Sequence, residues 1–130
     1  MSSESALKTL LWSSSVFTDQ EDLILDAQDF EPSPALKNRI SKEWETFKQE
    51  ATQQGFNPVA HRLEQINLEE GDYWDYVAHD WVLTRQSHGS GFWDAGKWAK
   101  PWDTKLTQLS RTFQEITLFL SPEGLLEADS

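Results

Sequence analysis

The sequence has no cysteine and few basic residues. The absence of cysteine excludes disulfide bonds, thiolate metal ligands and cysteine nucleophiles. Eleven Lys and Arg residues stand against 22 Asp and Glu residues, which gives a net charge of −11. This balance opposes binding to DNA phosphates or anionic membranes and favours attraction to basic surfaces. We therefore expect a protein partner with a basic surface, and neither duplex DNA nor a membrane.

Long apolar runs are missing as well. No segment approaches the roughly 18 apolar residues of a membrane-spanning helix, and the apolar stretch near the N-terminus is too short for a secretory signal. We therefore expect a cytoplasmic protein without cofactors. A chain of 130 residues fits one domain. We predict a single domain over residues 1–130, with 1–4 and 127–130 frayed at its ends.

The charge is unevenly distributed along the chain. Residues 1–80 carry a net charge of −10, whereas residues 81–115 carry +2. Two runs contain acids and no base, one from Asp19 to Glu31 and the other from Glu64 to Asp80. The candidates for an acidic surface are Asp19, Glu21, Asp22, Asp26, Asp29, Glu31, Glu64, Glu69, Glu70, Asp72 and Asp75. Such a surface could replace DNA phosphates in a basic binding site, and an ordinary solvated acidic face is the simpler alternative.

The clearest element is a helix over residues 34–54. Ser33 is a good N-cap, Pro34 suits the first helical position, and Gly55 suits the position after the last turn. The apolar face repeats at helical spacing and consists of Leu36, Ile40, Trp44, Phe47 and Ala51.

Other segments predict shorter elements. We expect shorter helices near 58–67 and 69–78 and from Asp103 or Thr104 to Gln114, with Val59, Leu63 and Ile66 sharing one face of the first of these. Strands are expected at 6–13, 81–85, 92–94 and 116–120, and a tight turn at 121–124 should return the chain as a short antiparallel strand at Leu125-Leu126. The 81–85 and 92–94 strands would form a hairpin. The predicted class is α+β, with a small antiparallel sheet packed against one long and two or three short helices.

The segment HDWVLTRQSHGSGFWD, residues 79–94, concentrates groups that can carry chemistry. The binding candidates are His79, Asp80, Trp81, Arg85, His88, Gly89, Gly91, Phe92, Trp93 and Asp94. A metal site or an acid–base pair built on His79, Asp80, His88 and Asp94 is one hypothesis, although the spacing matches no strong metal motif. Phosphate binding by the glycines is another, but the predicted loop precedes no helix. We assign no catalytic residue or metal ligand.

Single-stranded nucleic-acid binding is a further hypothesis for residues 81–105. Grooves for single strands combine stacking aromatic rings with cations. The rings here are Trp81, Phe92, Trp93, Trp98 and Trp102, and the cations are Arg85, Lys97, Lys100 and Lys105. Aromatic residues on strands are nevertheless more often part of a core.

The same segment resembles a motif of small acidic proteins from bacteriophages and from bacteria that carry related elements. The motif is His-Asp-aromatic-x-Leu-Thr-Arg-x-x-His-Gly-x-Gly-Phe-Trp-Asp. The matching residues are His79, Asp80, Trp81, Leu83, Thr84, Arg85, His88, Gly89, Gly91, Phe92, Trp93 and Asp94. LLWSSS near the start and ITLFLSPEG near the end are similar to the same family. Gln86-Ser87 stands where the family pattern has Asn-Gly, and residues 95–103 also depart from it.

The resemblance implies a phage or prophage setting and a compact mixed fold. It implies no mechanism, because the family has no settled activity. Our leading expectation is an accessory protein that binds and modulates a host or phage protein, in anti-defence or regulation. Single-strand binding and a small enzyme are the alternatives. The sequence leaves the oligomeric state open.

Overall fold

The computed structural model describes residues 2–17, 24–61, 73–87, 91–93 and 98–128. Within these ranges the helices are α1 (Ser2–Ser13), α2 (Pro34–Gln53), α3 (Pro58–His61), α4 (Tyr73–Arg85) and α5 (Trp102–Ser110). The strands are β1 (Ser15–Phe17), β2 (Ile24–Asp26), β3 (Glu31–Pro32), β4 (Leu118–Leu120) and β5 (Leu125–Ala128), and a 3₁₀ helix covers Ala27–Asp29. The predicted α+β class is confirmed.

Helix α2 forms as its sequence predicts. The Ser33 hydroxyl accepts a hydrogen bond from the backbone N–H of Leu36 at 3.0 Å, and Pro34 occupies the first turn. Gly55, just beyond the helix, has a φ of 104°, a conformation that few residues other than glycine adopt easily. All five residues of the predicted apolar face are buried. This face packs on α4 through Trp44 and Phe47, whose rings lie 5.4 and 5.7 Å from that of Trp81.

The predicted strand at 6–13 is wrong, because this segment belongs to α1. Its buried residues, Ala6, Thr9 and Leu10, follow helical spacing, and they pack against α4 and α2. A short apolar run fits a strand or a helix equally well, and tertiary packing decides between them. Regular structure also extends further toward both ends than expected, since α1 begins at Ser2 and β5 includes Glu127 and Ala128.

The predicted 81–94 hairpin is also wrong. Residues 81–85 form the last part of α4, and Phe92 and Trp93 lie in a turn. Every residue from Asp80 to Arg85 is buried, so this part of α4 is enclosed on all sides. A helix that is buried on all sides has no polar stripe of the kind that identifies an amphipathic helix. Its sequence then resembles that of a buried strand.

The shorter elements follow their predictions in part. Helix α5 ends at Ser110 and not at the predicted Gln114, its residues Leu106 and Ser110 are buried, and Gly124 completes the predicted turn. Val59, which we placed on one helix face with Leu63 and Ile66, is 59% exposed. Residues 62–72, which hold most of the predicted 58–67 helix and the start of the predicted 69–78 helix, lie outside the described residues. The rest of the second helix, 73–78, belongs to α4.

The strands form one mixed sheet in the order β2-β1-β4-β5-β3. The β1–β2 and β4–β5 pairs are antiparallel, whereas β1–β4 and β3–β5 are parallel, so the expected purely antiparallel sheet is corrected. The two edge strands are joined by the short segment from Asp26 to Glu31. If the sheet were flat, these two edges would lie about 19 Å apart. Five residues, three of which form a 3₁₀ helix, cannot span that distance. The sheet is therefore curved.

Candidate functional site

His79 faces α1. Its Nδ1 lies 3.0 Å from the hydroxyl oxygen of Thr9, and the same hydroxyl donates to the backbone oxygen of Ser5. Because a hydroxyl has one proton, His79 Nδ1 donates to Thr9 in the tautomer that carries a proton on Nδ1, and the Thr9 proton then goes to Ser5. The imidazole also lies 6.0 Å from the ring of Trp12. His79 therefore joins α4 to α1.

Asp80 points into the core. It is fully buried, and its Oδ2 accepts a hydrogen bond from Trp98 Nε1 at 2.9 Å. Its backbone oxygen accepts a bond from the Thr84 hydroxyl at 2.7 Å, and that hydroxyl in turn accepts one from the N–H of Phe92. The bond from Trp98 supplies the donor that a buried carboxylate needs, and it attaches the Trp98 segment to α4. The bond from Phe92 to Thr84 attaches the Phe92 turn to the same helix.

Gly91 fits against the same bond network. A Cβ atom at this position would lie 2.2 Å from Thr84 Oγ1 and 2.7 Å from the ring of Trp93. Both distances are far below van der Waals contact, so a side chain at residue 91 would displace the turn. The close approach of backbone to α4 explains why glycine is required here.

Arg85 is a fully buried cation. Its Nη2 donates to Glu43 Oε1 at 2.7 Å, and its Nε donates to the backbone oxygen of Gln114 at 3.0 Å. The guanidinium also lies over the rings of Trp81 and Phe113, at 4.9 and 5.4 Å. Burial lowers the pKa of Arg85, and the hydrogen bond and charge of Glu43 oppose this shift.

Two further contacts complete this cluster. Glu43 bridges two arginines, because its Oε2 also pairs with Arg39 Nε at 2.7 Å. Gln86 forms a pair of hydrogen bonds with the backbone of Ile116, donating to its oxygen at 2.8 Å and accepting from its N–H at 2.7 Å. Gln86 thus ties the end of α4 to the segment that leads into β4.

The predicted site residues of the 79–94 segment do not converge. His79 contacts α1, Asp80 contacts Trp98, and Arg85 contacts α2 and the segment before β4. His88, Gly89 and Asp94 lie outside the described residues. Among the residues that the structure describes, no group of three His, Asp or Glu side chains could hold a metal ion. In the described part of the segment, His79, Asp80 and Arg85 each join α4 to a different neighbouring element.

The aromatic rings proposed to stack on single-stranded nucleic acid are mostly core. Trp81, Phe92, Trp98 and Trp102 are buried, and Trp93 keeps 37% of its surface exposed. Arg85, one of the proposed cations, is buried and paired. Four of the five expected stacking surfaces are therefore covered by this protein itself.

Four of the acidic surface candidates lie in the described residues. Asp26, Asp29 and Glu31 are exposed, and Asp75 is partly buried. The candidates outside the described residues are Asp19, Glu21, Asp22, Glu64, Glu69, Glu70 and Asp72. Asp80, which ends the second acidic run, does not contribute to the surface, because it is buried.

The exposed acids Asp26 and Glu31 belong to the solvent-facing side of the sheet. Side chains alternate between the two faces of a strand, and paired residues share a face. Leu118 and Leu126 face the core, so Phe119 and its partner Glu127 face the opposite side. Registers then place the following residues on this outer face: Asp26, Ser15, Phe119, Leu125, Glu127 and Glu31. We call these six residues the outer sheet face.

The outer sheet face combines one sign of charge with an exposed aromatic ring. Its charged members are Asp26, Glu31 and Glu127, and none of the five described strands contains Lys or Arg. Phe119 is 41% exposed at the centre of the sheet, and Leu125 beside it is partly exposed. Sequence reasoning missed Phe119 and Glu127. Leu118, Phe119 and Leu120 are all apolar, so no alternation in the sequence marks Phe119 as outward, and the strand pairing that sets Glu127 opposite it is not local.

Comparison with known proteins gives no relative. A scan against protein-family models, a search of curated proteins and a search of solved structures each found no match. Within the described residues, none of the helices is long and apolar enough to cross a membrane.

Proposed function

We propose that this protein is a non-catalytic accessory protein that binds a basic protein surface through its outer sheet face. The observation that carries the proposal is the placement of Asp26, Glu31 and Glu127 on the same face of the sheet as the exposed ring of Phe119, with Glu127 directly opposite it. An exposed aromatic anchor bordered by charge is the usual anatomy of a protein-binding surface. The acids would favour a partner rich in Lys and Arg, through both steering and contact.

The acidic sequence around this face supports the same partner. In the sequence, the segment between β1 and β2 contains Asp19, Glu21 and Asp22 and no base. Asp29 is exposed on the 3₁₀ helix that follows β2. Proteins that bind nucleic acid have surfaces of matching positive charge. We propose a basic, nucleic-acid-handling protein as the partner, bound in competition with DNA, and the phage-family resemblance favours a role in anti-defence or regulation.

The proposal is tested with a synthetic peptide that alternates Lys or Arg with Leu, titrated into the protein by calorimetry at low salt. The variant Glu31→Lys/Glu127→Lys should bind about tenfold more weakly or worse, because two attractive contacts become repulsive. Phe119→Ala should weaken binding by a further few-fold without unfolding the protein, because the ring is exposed.

The matched control reverses two acids of α2. Glu45 and Glu50 are exposed, so Glu45→Lys/Glu50→Lys changes the net charge by the same amount away from the sheet. This control should leave affinity within about twofold of the parent protein, apart from long-range steering. Equal weakening in both double variants would mean that net charge alone is responsible, and the outer sheet face would then not be the binding surface.

A further inference from the structure

A second surface feature lies away from the outer sheet face. A cleft of about 480 Å³ opens where the end of α2, the start of α3 and the start of α4 meet. Its described lining residues are Lys48, Thr52, Phe56, Asn57, Pro58, Val59, Tyr73 and Trp74. Clefts of this volume, with aromatic walls and few polar groups, are typical of sites for small molecules.

The walls of the cleft are held in place by the core. Phe56 is buried and meets the ring of Trp74 edge-on at 5.7 Å, and Trp74 also contacts Trp44 at 6.1 Å. The Asn57 carboxamide oxygen accepts a bond from Val59 N at 2.9 Å and so fixes the start of α3. Val59 nevertheless remains 59% exposed, an apolar side chain at the cleft with much of its surface uncovered.

Lys48 supplies the charge of the cleft. Its ammonium lies 5.2 Å from the centre of the Trp74 ring, and its side chain is partly buried. Within the part of the chain that the structure describes, Lys48 makes no ion pair, although exposed carboxylates are abundant on this protein. The lining residues given above include no Asp or Glu. Among the described lining residues, a cation stands beside aromatic walls with no carboxylate, and this arrangement is complementary to an anion that carries an apolar body.

We propose that this cleft binds a small aromatic carboxylate, whose ring packs against Val59, Tyr73 and Trp74 while its carboxylate pairs with Lys48. A carboxylate would gain a charge-assisted hydrogen bond from the ammonium. An uncharged amide of the same shape would lack that gain, and an amine would be repelled. This site is separate from the outer sheet face, so each proposal can fail without the other.

The test uses phenylacetate, phenylacetamide and phenethylamine, each added to ¹⁵N-labelled protein up to about 10 mM, the range in which fragments of this size bind. The readout is the set of indole N–H signals, with that of Trp74 identified by Trp74→Phe. Phenylacetate should shift the Trp74 signal in a saturable manner, and the amide should do so at least about tenfold more weakly.

Two variants and a matched control locate the site. Lys48→Met keeps the aliphatic stem and removes the charge, and it should weaken phenylacetate binding about tenfold. Val59→Glu places a negative charge at the cleft, which would repel the carboxylate of phenylacetate, and should abolish binding. Because Val59 is exposed, this substitution should leave the fold intact. Lys37→Met removes an exposed lysine of the same helix outside the cleft and should have no effect.

Three results would overturn the proposal. One is the absence of any saturable shift of Trp74 with phenylacetate. Another is binding of the amide as strong as that of the acid. The third is equal weakening by Lys48→Met and Lys37→Met, which would assign the effect to overall charge.

Discussion

At the scale of single residues, the ionisable character of a side chain is a poor guide to its position in this fold. Asp80 and Arg85 are ionisable residues that are rarely buried without partners, and both are buried here with partners. Those partners, Trp98 and Glu43, lie 18 and 42 residues away along the chain. The sequence therefore marks Asp80 and Arg85 as notable but cannot distinguish a binding site from an internal connection.

Glu43→Gln should destabilise the protein by about 1–3 kcal/mol in urea unfolding, because the buried Arg85 guanidinium loses its charged partner. Glu43 is partly exposed, which reduces the effect relative to a wholly buried pair. The control Arg39→Met removes the other arginine on Glu43, at a more exposed pair, and should cost at most about 1 kcal/mol. Equal costs for the two variants would contradict this assignment.

The lowered pKa of Arg85 has a definite sign for stability. A base whose folded pKa lies below its unfolded pKa binds its proton less tightly when folded, so its burial disfavours folding at every pH below that folded pKa. Arginine titrates so far above neutrality that it stays charged under physiological conditions. Arg85 should therefore contribute no pH dependence to stability between about pH 6 and 9.

Gly91→Ala should destabilise the protein by about 1–3 kcal/mol, because the new Cβ would overlap Thr84 Oγ1 and the Trp93 ring. A double-mutant cycle with Thr84→Ala isolates the first overlap. The cost of Gly91→Ala should be smaller in the Thr84→Ala background than in the parent protein. Strict additivity of the two costs, measured by thermal or urea unfolding, would mean that the contact with Thr84 is unimportant.

At the scale of elements, the secondary structure of amphipathic segments can be predicted from the sequence. That of fully buried helices, and of strands that depend on distant pairing, cannot. Helix α2 has a polar side, a cap and a terminating glycine, so local rules determine its bounds. The second half of α4 is buried all round, and β1 and β4 pair although residues 17 and 119 are far apart in the sequence. Their states depend on tertiary contacts that no local pattern contains.

The connection between α4 and β4 provides a test at this scale. Gln86→Leu removes both hydrogen bonds to the Ile116 backbone, so the N–H and the oxygen of Ile116 both lose their side-chain partner. We expect a loss of about 1–3 kcal/mol in unfolding free energy. Hydrogen exchange should accelerate at Ile116 and through β4. Unchanged exchange there, with the same global loss, would show that Gln86 does not hold the start of the strand.

At the scale of the whole molecule, the charge pattern and the sheet define one acidic side with an apolar centre. The candidate site was predictable only as an acidic tendency of residues 19–31, because Glu127 and Phe119 join it through strand pairing. The affinity of such a surface for a basic partner depends on ionic strength. Raising salt from about 50 to 500 mM should weaken the basic-peptide complex at least about tenfold and slow its association. Affinity that is independent of salt would argue against charge as the basis of recognition.

The most direct test of the outer sheet face is a map of where the basic peptide binds. In ¹⁵N-labelled protein, we expect the largest amide shift changes on adding the peptide at Phe119, Leu125 and Glu127, and we expect Glu31→Lys/Glu127→Lys to reduce them greatly. Changes centred on α2 or α5, with β4 and β5 unaffected, would contradict it.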